Sequence, residues 1–210
     1  MIILFDLDGT LIDSTEAILE SFEVAFKTFG KEVPEDKCIE AEIGHPLDVM
    51  FPTLGVEKDK VEAYVHAYKM HYREISCAKT ILLPDALEAV KLASKYATLG
   101  VVTTKTAKYS IELLEHMGLM HYFDVLIGRE DVINPKPHPE PIQKALAKLP
   151  SDTSAIWMIG DTCMDMVAAR SANVGSVGLT CGYGSEESLR KCTDNIYQNA
   201  LEAVTFIANK

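Results

Sequence analysis

The sequence predicts an α/β fold: a doubly wound, mainly parallel, Rossmann-like sheet with an all-helical domain inserted into it. Three observations carry that prediction. Five short apolar runs, Met1–Phe5, Leu99–Thr103, Asp124–Ile127, Ala155–Ile159 and Val174–Leu179, have the length and composition of buried strands. Amphipathic helical patterns separate the last four, and such alternation implies parallel strands joined by right-handed crossovers. The connection from the first run to the second is far longer than a single crossover helix needs, which marks an insertion.

Met1–Phe5 is uninterrupted by polar residues and reads as a buried strand. The insertion opens with Ile18, Leu19, Phe22, Ala25, Phe26 and Phe29 on one helix face. Asp13 with Glu16 predicts a capping box at its start, and Gly30 a stop at its end. Pro34, Gly44-His45-Pro46, Pro52 and Gly55 then punctuate shorter helices. Val61, Tyr64, Val65, Tyr68 and Tyr72 repeat the apolar stripe on a further helix. We place this helical unit at 14–80 and the α/β core at 1–13 and 81–210. In the core, Ala86, Leu87, Val90 and Ala93 form the next helical face, followed by Ile111, Leu114 and Met117 up to a Gly118 cap. Ile142, Ala145, Leu146 and Leu149, then Met164, Val167 and Ala168, complete the alternation.

Composition narrows the function classes. The 210 residues are 48% hydrophobic and 24% charged, the profile of a folded domain. Twenty Lys+Arg against 31 Asp+Glu give a net charge of −11, which disfavours nucleic acid as a partner. No run approaches the ~18 apolar residues of a membrane span, and the amino end lacks the basic region and cleavage site of a secretory signal. Cys38, Cys77, Cys163, Cys181 and Cys192 are odd in number and form no C-x-x-C pair. That pattern predicts free thiols, with Cys163 packed at a helix start, and a reducing cytoplasm as the compartment. A monomer and a homodimer remain equally open.

Ligands of open α/β sheets bind beyond the carboxyl ends of the strands, so the residues there decide the chemistry. The first run ends Asp6-Leu7-Asp8-Gly9-Thr10, which points Asp6 and Asp8 to the same side of an extended chain. The second ends Thr103-Thr104-Lys105. The loop after the third holds Asn134-Pro135-Lys136-Pro137-His138-Pro139. The fourth ends Gly160-Asp161-Thr162-Cys163-Met164-Asp165, whose two acids share a face if a helix starts there. Carboxylates gathered this closely repel by about 4 kcal/mol per pair at 4 Å and an effective dielectric of 20. They require protons or a cation among them. All-oxygen donors suit Mg²⁺, and a lysine beside such an ion suits phosphoryl transfer with a carboxylate as nucleophile.

These four motifs, in this order, resemble the haloacid dehalogenase superfamily over essentially the whole chain, specifically its phosphatases with a helical cap after the first motif. The resemblance implies that Asp6 is the nucleophile forming an aspartyl-phosphate, and that Asp8 protonates the leaving alkoxide and then activates water. It implies a Mg²⁺ site from Asp6, the Asp8 carbonyl and Asp161, supported by Asp165. It also implies a phosphate grip from Thr10, Thr103, the Thr104 amide and Lys136. Asp at position 8 argues against dehalogenation, since a halide leaves without a proton. Gly44-His45-Pro46-Leu47, the proline-rich loop around Lys136 and Gly182-Tyr183-Gly184 are similar to phosphoglycolate phosphatases, which implies 2-phosphoglycolate as substrate and His45 as a cap residue touching it. Thr104 replaces a common Asn, and Asn173 a common Gly. Inorganic pyrophosphatase, nucleotide or sugar phosphatase and sugar-phosphate mutase share the same motifs, and a non-catalytic phosphate-binding protein could be built on them.

Plainer readings stand beside each residue. Asp6 and Asp8 could be turn formers, Thr103 a buried hydroxyl, Lys136 a solvated loop residue and Asp161 a helix cap. Asp165 could support the metal shell without binding the ion. His45 could be merely exposed, and Arg73 a surface cation. His66 and His71 are five apart and miss a common helix face, which disfavours metal binding by them. The Tyr64, Tyr68 and Tyr72 stripe reads as a core face.

Overall fold

The computed structural model describes residues 1–149 and 155–210. Its chain divides into two compact units, Met1–Asp13 with Ile81–Lys210, and Ser14–Thr80. In chain order the first unit begins with β1 (Ile2–Phe5) and β2 (Ile12–Asp13). The second unit supplies α1 (Thr15–Thr28), α2 (Asp36–Glu40), α3 (Leu47–Thr53) and α4 (Val61–Ile75). The chain then returns through β3 (Ile81–Leu82), α5 (Ala86–Ala93), β4 (Thr98–Val102), α6 (Ala107–His116), β5 (Val125–Ile127) and α7 (Glu140–Leu146). It finishes with β6 (Ile156–Gly160), α8 (Cys163–Ser171), β7 (Gly175–Leu179), α9 (Glu186–Leu189), β8 (Ile196–Tyr197) and α10 (Ala200–Ile207).

The main sheet runs β5-β4-β1-β6-β7-β8 with every neighbouring pair parallel. Ile2–Phe5 is buried along its whole length because β4 flanks it on one side and β6 on the other. Strand order reverses at β1, so the carboxyl ends of β1, β4 and β6 open onto the crevice where ligands of such sheets bind. Ile2 and Leu4, two apart on one face, join Val102, Ile127 and Met158 in an apolar cluster. Ile142 and Ala145 of α7 and Ala168 and Ala169 of α8 close that cluster. Gly100 is needed there: a Cβ would stand 2.6 Å from Val125 Cγ1 and 2.8 Å from Leu4 Cδ2. Elsewhere in the unit, α5 and α10 pack on each other.

Three features depart from the sequence reading. β8 and the antiparallel pair β2–β3 are two residues per strand, too short to show as apolar runs. Asp13 does not cap α1. It lies extended in β2 opposite Ile81, and the helix starts at Thr15 with Ser14 at the N-cap and no side-chain cap bond. Cys163 is not a free, packed thiol: it forms a disulfide with Cys192, Cα to Cα 5.8 Å. Helices α8 and α9 pack together and bring the two sulfurs into reach across 29 residues, a proximity that linear spacing does not reveal. Cys38, Cys77 and Cys181 are free among the described residues. The bond removes the cysteine pattern as an argument for a reducing compartment. No helix among the described residues is long and apolar enough to cross a membrane.

The helical unit is held by aromatic rings. Phe22 of α1 lies 4.7 Å from Phe51 of α3 and 5.0 Å from Tyr68 of α4, centroid to centroid. Phe26 meets Tyr64 edge-on at 5.3 Å, and Tyr68 stacks on Tyr72 at 5.5 Å. Tyr64, Tyr68 and Tyr72 are the buried residues of α4, and they repeat at the spacing of one helix face. Lys79, which pairs with Glu16 at 2.8 Å and with Glu20, ties the end of the unit back to α1. Phe51 touches rings from both long helices and is fully buried. Phe51→Ala should therefore lower stability by about 3–5 kcal/mol, and Phe51→Leu by clearly less, in urea unfolding followed by circular dichroism.

Candidate active site

The backbone after β1 builds the first wall. Asp6 extends the ladder by donating its N–H to the Ile159 carbonyl at 2.8 Å. The chain then turns sharply: the Leu7 carbonyl accepts N–H bonds from Thr10, Leu11 and Ile12, and Gly9 adopts φ +76°. Left-handed backbone at that corner favours glycine.

Lys136 lies in the loop before α7, only 3% exposed. Its Nζ donates to Asp165 Oδ1 at 2.5 Å and to the Val102 carbonyl at 3.1 Å. It is ion-paired with Asp6 Oδ1 at 2.9 Å, but the angles make no hydrogen bond, and that oxygen is buried without one. Asp165 uses its other oxygen to cap α8: Oδ2 accepts from the Thr162 N–H at 3.1 Å and from Thr162 Oγ1 at 2.8 Å. One carboxylate thus couples a helix start to the buried ammonium. The cap of α8 is Thr162 with Asp165, not Asp161.

Asp161 is fully buried at the end of β6. Oδ1 accepts from Thr10 Oγ1 at 3.3 Å and Oδ2 from the Tyr183 N–H at 2.8 Å, so both oxygens are oriented. The segment around Tyr183 must approach closely. A Cβ on Gly182 would stand 2.2 Å from Asp161 Oδ2, and one on Gly160 would stand 2.3 Å from Asp165 Cγ.

Thr103 is buried just past β4, with its N–H bonded to the Ile127 carbonyl at 3.0 Å. Its hydroxyl accepts the Lys105 N–H at 3.1 Å. The Lys105 ammonium reaches Asp8 Oδ2 at 3.0 Å. Sequence reasoning gave Lys105 no role, although its place two residues after Thr103 is the signal that could have found it. Thr104 is half-buried at the same strand end. His45 belongs to the helical unit, half-buried in a turn where its N–H donates to the Glu42 carbonyl at 3.0 Å. Within the first unit, then, the structure gathers Asp6, Asp161, Asp165, Lys136 and Thr10, and it joins Asp8 to Lys105.

One carboxylate oxygen from each of Asp6, Asp161 and Asp165 lies within 4.8 Å of the others. Burial pushes Asp6 up to about 7; Lys136 opposes that rise and Asp165 adds to it. Asp161 is raised well above the ordinary range by burial, then by the Asp165 and Asp6 charges. For Lys136, burial works against the charge, but Asp165 and Asp6 outweigh it and the ammonium is held above its usual range. A divalent cation fits this donor set. The oxygens are hard, the charge excess is negative, and Asp6 Oδ1 has an unmet demand for a partner. Asp165, with both oxygens engaged, fits a supporting place better than a direct one.

Comparisons with known proteins identify the family. The family model for haloacid dehalogenase-like hydrolases matches residues 3–179. A relative described as probable phosphatase IndB, from Dickeya dadantii, is 32% identical over 99% of this chain and 93% of its own. A phosphoglycolate phosphatase from Colwellia psychrerythraea is 29% identical over 90% and 88%. The pyrophosphatase PpaX from Halalkalibacterium halodurans is 34% identical over 90% and 87%. Among solved structures, a haloacid dehalogenase-like hydrolase from Bacteroides fragilis superposes with a TM-score of 0.90 at 28% identity, covering 96% of this chain and 98% of that one.

The raised carboxyls set a pH dependence. With no cation bound, the folded state keeps protons that the unfolded chain has already released above an ordinary carboxyl value near 3.8. The stability that protonated Asp6 contributes is complete below that value and is lost as pH rises through about 7. Melting in EDTA should therefore fall between pH 5.5 and pH 8, and Asp6→Asn should flatten the fall. Millimolar Mg²⁺ should raise the melting temperature more at pH 8 than at pH 5.5. A flat profile for both proteins would contradict the burial argument.

Proposed function

The chain belongs to the haloacid dehalogenase-like hydrolase family, and we propose that it is a Mg²⁺-dependent phosphomonoester hydrolase acting on a small metabolite, with 2-phosphoglycolate the leading substrate. The observation that carries the proposal is the Asp6 carboxylate at the mouth of the central strand. It is buried, raised by its surroundings and held beside the Lys136 ammonium.

In this reading Asp6 attacks phosphorus, the ester bond breaks, and an aspartyl-phosphate forms. Asp8 delivers a proton to the departing alkoxide, then takes one from the water that hydrolyses the acyl phosphate, returning Asp6 and releasing inorganic phosphate. Asp6, the Asp8 carbonyl and Asp161 would hold the metal, which supplies charge neutralisation of the phosphoryl oxygens. Lys136 balances the same charge from the protein side, and Asp165 keeps it in place. Thr10, Thr103 and the Thr104 amide are assigned to the phosphate oxygens, and His45 to the substrate from the helical unit.

A second reading, inorganic pyrophosphatase, is favoured by the resemblance to PpaX. Phosphate release from pyrophosphate and from 2-phosphoglycolate, compared as kcat/KM, separates the two.

Asp6→Asn should cut phosphate release by about a thousandfold or more while leaving the circular dichroism unchanged. Undiminished release would remove the nucleophile assignment. Asp8→Asn should slow an alkyl phosphate about tenfold more than p-nitrophenyl phosphate, whose leaving group departs without a proton. Equal losses would count against Asp8 as the acid.

A further inference from the structure

Two lysines pair with the carboxylates at the strand ends, and only one is placed to meet the alcohol half of a substrate. Lys136 is 3% exposed, tied to Asp165, Asp6 and the Val102 carbonyl behind the nucleophile. Lys105 instead reaches Asp8 Oδ2 at 3.0 Å, both side chains slightly exposed at 11% and 12%. Its backbone is fixed on either side: its N–H is bound to Thr103 Oγ1 at 3.1 Å, and its carbonyl accepts the Arg129 N–H at 2.9 Å. The ammonium is therefore delivered to one spot by a rigid strand end, while four flexible methylene groups let its tip move by a few ångströms.

We propose that Lys105 selects for an anionic leaving group, exchanging its Asp8 partner for a carboxylate on the alcohol half of the ester. The inference rests on the proposed function, in which Asp8 faces the leaving oxygen; a cation that touches Asp8 then lies beside the adjoining carbons of the substrate. A chain of net charge −11 with Asp6, Asp8, Asp161 and Asp165 at the mouth repels an ester that carries a carboxylate as well as a phosphate. Such a substrate needs a cation beyond the one committed to the nucleophile. Exchange supplies it: one Lys105–carboxylate pair breaks as another forms, and Asp8 is left free of the ammonium. A neutral alcohol offers no such exchange. The substrate class is thus a phosphate monoester whose ester carbon bears a carboxylate, or a close homologue.

The test compares 2-phosphoglycolate with ethyl phosphate, which has the same two-carbon skeleton without the carboxylate. Wild-type kcat/KM should favour 2-phosphoglycolate, and Lys105→Met should lower the ratio of the two values about tenfold to a hundredfold, mostly through KM. Lys105→Arg should restore most of it. A ratio that Lys105→Met leaves unchanged, or a wild type that hydrolyses both esters equally, overturns the assignment while leaving a phosphatase in place. A wild type that hydrolyses neither ester overturns the proposed function instead. In that case calorimetry on Asp6→Asn and on Asp6→Asn/Lys105→Met decides the Lys105 question without turnover. A tenfold fall in preference for 2-phosphoglycolate over ethyl phosphate supports the assignment, and equal preferences refute it.

Discussion

A single ammonium buried among carboxylates organises the mouth of the sheet. Burial disfavours every charge there, the lysine's included, and three acids within 4.8 Å of one another cannot all ionise without compensation. Lys136 supplies one unit of it: it donates hydrogen bonds to Asp165 and to the carbonyl at the end of β4, and its charge lies 2.9 Å from Asp6. The strand ends, the loop before α7 and the start of α8 are in this way referred to one nitrogen atom. The charge excess that remains is negative, the condition under which a hard divalent cation is retained.

The carboxylates are chemically alike and differ in what surrounds them. Asp165 is saturated, one oxygen on the ammonium and the other on the cap of α8, and it acts as a strut. Asp161 is oriented from both sides by a hydroxyl and an amide, which aims it without neutralising it. Asp6 keeps an oxygen that no hydrogen bond satisfies. Asp8 faces a different lysine. Four identical functional groups thus acquire separate chemical characters from burial and from the number of donors each one meets.

Much of this was legible in the sequence. The five apolar runs fall on β1, β4, β5, β6 and β7 to within a residue or two, because a strand buried on both faces must be apolar throughout. Asp6, Lys136 and Asp161 could be singled out because each directly follows a strand or lies in the loop beyond one, and strand ends are where an open sheet exposes its crevice. What stayed hidden depends on proximity in space. The Cys163–Cys192 bond needs α8 and α9 to pack, and the Lys105–Asp8 pair needs β4 to lie next to β1. The saturation of Asp165 needs the first turn of α8 to exist. Asp13 misled because its spacing to Glu16 suits a helix cap, whereas pairing with Ile81 holds it extended.

That small pairing of β2 with β3 has a wider bearing. Ile12 sits opposite Leu82 and Asp13 opposite Ile81, so the chain departs from the sheet-bearing unit and rejoins it at two adjacent points. Whatever polypeptide is spliced between those points need only begin and end a β-pair's width apart. A segment that enters and leaves at neighbouring points can fold as a unit of its own, its two connections tied together by one short ladder.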